Sequence, residues 1–169
     1  MAAAAAPNQD FAGVGKSASL TQSLERAHRI AVERAHGVVT LEHLLLSLTE
    51  DQDASAVFAS SPVDLGRLRA DLSGLLARVP PPDAVGRAIL PNADLLRVLR
   101  LAATAAQQSQ RTAIDGMIVL AAIIGDGKTA GAQVLTAHGL TFNEVIKVLQ
   151  GAASPPRPQA APVAAQQAQ

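Results

Sequence analysis

The 169-residue chain has no cysteine, no tryptophan and no tyrosine, and only three phenylalanines. Without cysteine, neither disulfides nor thiol chemistry is available, and redox logic does not fix the compartment. The shortage of aromatics removes the stacking platforms that single-strand nucleic-acid binders use. Excess charge of one sign is missing too: 14 Lys and Arg balance 14 Asp and Glu, for a formal net charge of zero. A nucleic-acid partner, which asks for a basic face, is not expected. The longest apolar run, Met117 to Ile124, falls far short of the roughly 20 residues of a membrane helix. No membrane partner is expected. The N-terminal alanine run lacks a basic segment and an adequate hydrophobic stretch, so a secretory signal is not expected and the cytoplasm is the default location.

Constellations for chemistry are also absent. The four His do not make a metal site. His36 and His43 are seven apart but straddle a helix start, and no clustered carboxylates complete a set. His28 and His43 read as partly buried residues at the core edge. His138, beside Gly139 at a helix end, suits the helix dipole as a cation. No Ser or Thr lies in a recognisable nucleophile turn with a base. Neither catalytic residues nor a cofactor are expected.

What the chain does have is one pattern stated twice. Leu24 to Leu72 and Leu99 to Leu149 can be laid over each other with one small gap. Leu24, Ala27 and Ala31 match Leu99, Ala102 and Ala106. The polar corner His36-Gly37 matches Arg111-Thr112, and the capping residue Thr40 matches Asp115. The apolar run Leu41 to Leu48 matches Gly116 to Ile123. After a two-residue length difference, Val63-Asp64-Leu65 matches Leu140-Thr141-Phe142. A period of roughly 75 residues is too long for a solenoid unit and too short for two independent domains. It implies a tandem duplication folded as one pseudo-twofold body, with sites at or near the seam.

The spacing predicts helices throughout. They run from Leu20 to Ala35, from Thr40 as N-cap to Thr49, over Ala54 to Ala59, and from Asp64 as N-cap to Val79. Gly37 reads as the left-handed stop of the first. Pro80-Pro81-Pro82 opens a linker. The second copy gives Leu95 to Gln110, then Asp115 capping Gly116 to Ile124, and Thr129 capping a helix to Ala137. Thr141 and Glu144 form a capping box for a helix to Gln150. No segment alternates like a strand. The expected fold is all-α, a single domain of two four-helix repeats over about 20–79 and 92–150. That domain covers residues 18–151, flanked by disordered segments over 1–17 and, rich in Pro, Ala and Gln, over 152–169.

One loop resembles a phosphate binder: Ala122-Ile123-Ile124-Gly125-Asp126-Gly127-Lys128-Thr129 fits a relaxed pattern in which Lys and Thr serve a magnesium nucleotide. Against it, the first position is Ala where close backbone approach prefers Gly, and no apolar strand ending in Asp is there to hold magnesium. The duplication aligns the stretch with Leu48 to Ser55, a plain helix junction. A polar loop with Thr129 as N-cap is the preferred reading. A small nucleotide- or phosphate-binding enzyme using Gly127-Lys128-Thr129 is the alternative.

Val39-Thr40-Leu41-Glu42-His43-Leu44-Leu45-Leu46-Ser47-Leu48 resembles the T-x-E-H-[IL]-L-L-x-L signature of the Clp repeat, the double-repeat N-terminal domain of the Clp/Hsp100 unfoldases. Glu25 to Ala31 and Val63-Asp64-Leu65 with Leu68 and Leu72 fall where that family has them. The resemblance covers about residues 17 to 151. The second copy departs from it, with Asp115-Gly116-Met117-Ile118 where the signature has T-x-E-H.

The resemblance implies a non-catalytic protein-binding module of the Clp unfoldase and protease system. Its partner would be a substrate, an adaptor, or a Clp ATPase or protease. It would be either a free-standing accessory without an ATPase module or a piece of a longer unfoldase. In the family, the Glu of T-x-E-H lies exposed near the repeat seam. In some members it receives a cationic group, including the guanidinium end of a phosphoarginine degron. Here Met117 replaces its second-copy counterpart, which leaves one acidic pocket of two. The preceding corner contributes to adaptor and substrate contact in the family. Arg34, His36, Val38, Val39 and Glu42 are therefore the candidate protein-binding residues.

Overall fold

Each helix begins where a side chain can take up the free N–H groups of its first turn. The computed structural model describes residues 15–86 and 88–153. Ser17 caps α1 (Ala18–Glu33) by accepting from Leu20 N, and Thr40 caps α2 (Leu41–Leu48) by accepting from His43 N. The carboxylate of Asp51 accepts from Asp53 N and Ala54 N at the start of α3 (Ala54–Ala59). Asp64 caps α4 (Leu65–Leu76), Asn92 caps α5 (Ala93–Gln108) and Asp115 caps α6 (Gly116–Asp126). Thr129 caps α7 (Ala130–Ala137), and Thr141 accepts from Glu144 N in the first turn of α8 (Phe142–Ala153).

The order of elements repeats. From α1 to α5 and from α2 to α6 the step is 75 positions, and from α4 to α8 it is 77. The two longest helices also end alike. Ala35 and Gln110 take the left-handed conformation, with φ of 56° and 57°. The next amide in each case reaches back to the carbonyl five residues earlier, His36 N to Ala31 O and Arg111 N to Ala106 O. These are Schellman closures. The left-handed residue after α1 is thus Ala35 and not Gly37. Gly37 is needed for close approach instead. Its N–H donates to Pro80 O, and a Cβ there would stand 2.8 Å from Pro81 O.

The all-α expectation holds, with a small addition. Among the described residues four two-residue strands occur: β1 (Gly15–Lys16), β2 (Val38–Val39), β3 (Leu90–Pro91) and β4 (Ala113–Ile114). They form two parallel pairs, β1 with β4 and β2 with β3. Two residues are too short to show alternation, which is why the sequence does not reveal them. Each pair joins the segment leading into a long helix of one repeat to the segment leading into the apolar helix of the other. Residues 15–17, expected in a disordered lead, are thereby placed by β1 and the Ser17 cap. Residues 152 and 153, expected in the tail, extend α8. The remaining residues of both expected disordered ends, 1–14 and 154–169, lie outside the described residues.

The core forms around the two apolar helices. In α2, Leu41, Leu44, Leu45 and Leu48 are buried; in α6, every residue from Gly116 to Ile123 is. Helix α2 packs on α1, α4 and α7, and α6 packs on α5, α7, α8 and α3. The seam between repeats is made by α4 and α2 against α7, and by α3 against α6 and α8. Among the described residues, no single helix is long and apolar enough to cross a membrane.

Candidate functional site

The five residues of the first-repeat corner do not form one surface. Arg34 is exposed, and Val38 and Glu42 are half-buried. His36 and Val39 are buried, with 7% and 5% of their surface accessible, so neither presents a face to a partner. Val39 is held in β2 beside Pro91. His36 is held by His43: Nδ1 of the former lies 2.8 Å from Nε2 of the latter. Thr40 N–H donates to His43 Nδ1 at 2.8 Å, so that nitrogen carries no proton. The proton then sits on Nε2 and is donated to His36. Burial, then His36, then Arg34 push the pKa of His43 down from 6.5 to about 4. Burial, followed by Arg34, lowers that of His36. The pair is neutral near pH 7, and His43 acts as the acceptor that completes the capping box of α2. His28, by contrast, is exposed on α1 and not at the core edge.

Glu42 stands in the first turn of α2 and turns toward the seam. Its Oε2 accepts from Gly131 N, in the first turn of α7, at 3.2 Å. A carboxylate between two helix N-termini is favoured by both dipoles. Gly131 permits the approach, since a Cβ there would meet Leu45 Cδ1 at 2.5 Å. Met117, the counterpart of Glu42 in the second repeat, is buried in the core.

The loop over 125–129 is occupied with helix ends. Gly127 closes α6 in the left-handed conformation, and the Thr129 hydroxyl accepts from Ala132 N to start α7. Asp126 is tied to Arg97 by hydrogen bonds, which above all lower its pKa, and it also accepts from Lys128 N. The residue run before the loop is helix, whereas a phosphate loop follows a strand.

A groove that the sequence reading did not single out lies on the second repeat, between α5, α6 and α8. Its volume is about 620 Å³. Leu101, Ile118, Ala121, Phe142, Ile146 and Leu149 give it an apolar lining, and Arg111, Asp126 and Lys128 also border it. Phe142 is 44% exposed and Leu101 40%, so apolar surface is open to solvent. A residue-by-residue comparison of the two copies would have exposed it. Leu101 and Ile146 occupy positions that the first copy gives to Arg26 and Arg69.

The model for the Clp repeat (R) N-terminal domain matches residues 16–138. A protein described as a ClpA homolog, from Fuscovulum blasticum, is 34% identical over 149 residues, which are 83% of this chain and 18% of that protein. The chain therefore spans less than a fifth of the length of that curated relative. Among solved structures, the Hsp104 N-terminal domain from Candida albicans is similar with a TM-score of 0.70 at 15% identity, over 83% of this chain and 93% of that one. The N-domain of ClpV from Vibrio cholerae gives 0.70 at 18% identity, over 86% and 90%. A ClpV N-domain in complex with a VipB peptide gives 0.57 at 17% identity, over 83% and 79%.

Proposed function

The chain belongs to the Clp repeat N-terminal domain family, and from that premise we propose that it is a non-catalytic protein-binding module of a Clp unfoldase or protease system. It takes an apolar stretch of a substrate, an adaptor or a Clp component into the groove between α5, α6 and α8. The observation that carries this reading is the groove itself, with an apolar lining in which Phe142 and Leu101 are exposed to solvent. Exposed apolar surface of this kind marks an interaction site. The peptide-bound ClpV N-domain among similar structures supports a peptide as the ligand. The work is assigned to the cytoplasm.

The first-repeat corner plays a smaller part in this reading. Of its five residues only Arg34, Val38 and Glu42 offer surface, and Glu42 already accepts a bond across the seam. Glu42 is assigned to holding the repeats together.

Calorimetric titration with an amphipathic helical peptide that presents leucines on one face tests the groove. Phe142→Ala should weaken binding by about 1–3 kcal/mol while leaving the melting midpoint close to that of the wild type. Equal affinity of the two proteins would remove the groove from the site. Saturable binding of magnesium-ATP that Lys128→Ala abolishes would favour the nucleotide reading instead.

A further inference from the structure

Three positions that line the groove of the second repeat are arginine in the first. Leu101, Ser109 and Ile146, all groove residues, correspond to Arg26, Arg34 and Arg69 at the offsets that relate α5 to α1 and α8 to α4. Each arginine reaches to a neutral oxygen of a facing helix or its end. Arg26 Nη1 donates to the Ser47 carbonyl at 3.1 Å and to its hydroxyl at 3.0 Å. Arg69 Nε donates to Thr49 Oγ1 at 3.0 Å, and Arg34 Nη2 to Ser73 Oγ at 3.5 Å. At these three positions the three-helix surface is therefore uncharged in one repeat and cationic in the other.

These charges are poorly matched from within. Among the described residues, the ion pair on this face is Arg26 with Glu50, at 3.9 Å and with the Glu50 side chain 61% exposed. Arg34 and Arg69 are exposed, and no ion pair to either occurs among the described residues. A guanidinium has five N–H donors, and the neutral bonds above use only one or two on each. The free donors lie in the fork arrangement that accepts a carboxylate through two parallel bonds.

We propose that the α1–α2–α4 face of the first repeat binds an acidic segment of a protein partner, with Arg34 and Arg69 gripping Asp or Glu side chains and Arg26 supporting them. A nucleic acid is the weaker fit. The chain has no net positive charge and no Trp or Tyr, and Glu25, Glu33 and Asp71 lie on the same helices as the arginines. A continuous phosphate backbone would meet those acids, whereas a short acidic segment need not.

Fluorescence anisotropy at low salt decides it, with the full chain and a labelled short peptide of alternating Glu and Ala as probe. Saturable binding is expected. It should weaken at least about tenfold in the Arg34→Gln/Arg69→Gln variant and stay unchanged in Phe142→Ala. The matching Lys-Ala peptide should not bind the wild type, a comparison that stands even if the arginine variant is unstable. The proposal is overturned by no saturable binding of the Glu-Ala peptide, or by equal binding of the Lys-Ala peptide. It is also overturned if a thymidine oligonucleotide of equal charge binds as tightly, or if the folded arginine variant keeps full affinity. Loss of Glu-Ala binding in Phe142→Ala would show a single shared site and overturn a separate face, while leaving the groove reading intact.

Discussion

His43 serves two neighbours at once, accepting a hydrogen bond from the Thr40 amide and donating one to His36. Protonation of Nδ1 would set two hydrogens against each other inside the fold. Between pH 6.5 and about 4, the unfolded chain binds a proton that the folded chain refuses. Stability is therefore full above pH 6.5 and falls as the pH drops through that window. Urea midpoints measured across it should show the decline. His43→Gln, which keeps a capping-box acceptor without titrating there, should flatten it; a slope unchanged in that variant would place the effect elsewhere. Gly37 offers a second test at this scale. Gly37→Ala drives a methyl into the backbone of Pro81 and Pro82, and a loss of about 1–3 kcal/mol is expected from such overpacking. Glu42→Ala removes a charge-assisted bond between repeats, at a cost of about 1–2 kcal/mol in thermal or urea unfolding. Its affinity for the leucine-faced peptide should stay that of the wild type.

Among the elements, the helices were legible in the sequence and the strands were not. Thr40, Asp64, Asp115 and Thr129 each act on the amide three residues on, so cap and helix are visible together in a short window. The closure after α1 was misread because a left-handed residue was sought at glycine, while Ala35 takes that conformation under the pull of the Schellman bonds. The burial of His36 and Val39 in the corner is hidden for a related reason. Which side of Val38-Val39 faces the interior depends on a partner strand 52 positions away, and no local pattern records that. No short window of sequence shows the groove, because it forms only where α5, α6 and α8 meet. Leu45 and Leu120, equivalent positions in the two apolar helices, are both fully buried as their spacing implies. Replacing either with Ala should cost about 2–5 kcal/mol in denaturant unfolding. A loss under about 1 kcal/mol at both would mean that neighbours collapse freely into the space.

Across the whole molecule, polar bonds cross the seam as well as packing. Glu42 reaches Gly131, and His138 Nε2 lies 2.7 Å from Asp71 Oδ2 between α7 and α4. The paired strands go further, since the entry segment of each long helix is completed by the opposite repeat. Covalent continuity between the halves is then secondary to their mutual completion. The chain should unfold in one cooperative step, with calorimetric and van't Hoff enthalpies in agreement. A cut in the exposed linker at Val85 should yield two fragments that are each unfolded alone. Mixed, they should recover the helical circular dichroism of the intact chain, as in fragment complementation. The linker would then act chiefly as a concentration device, raising the local encounter of two halves that already carry the instructions for each other.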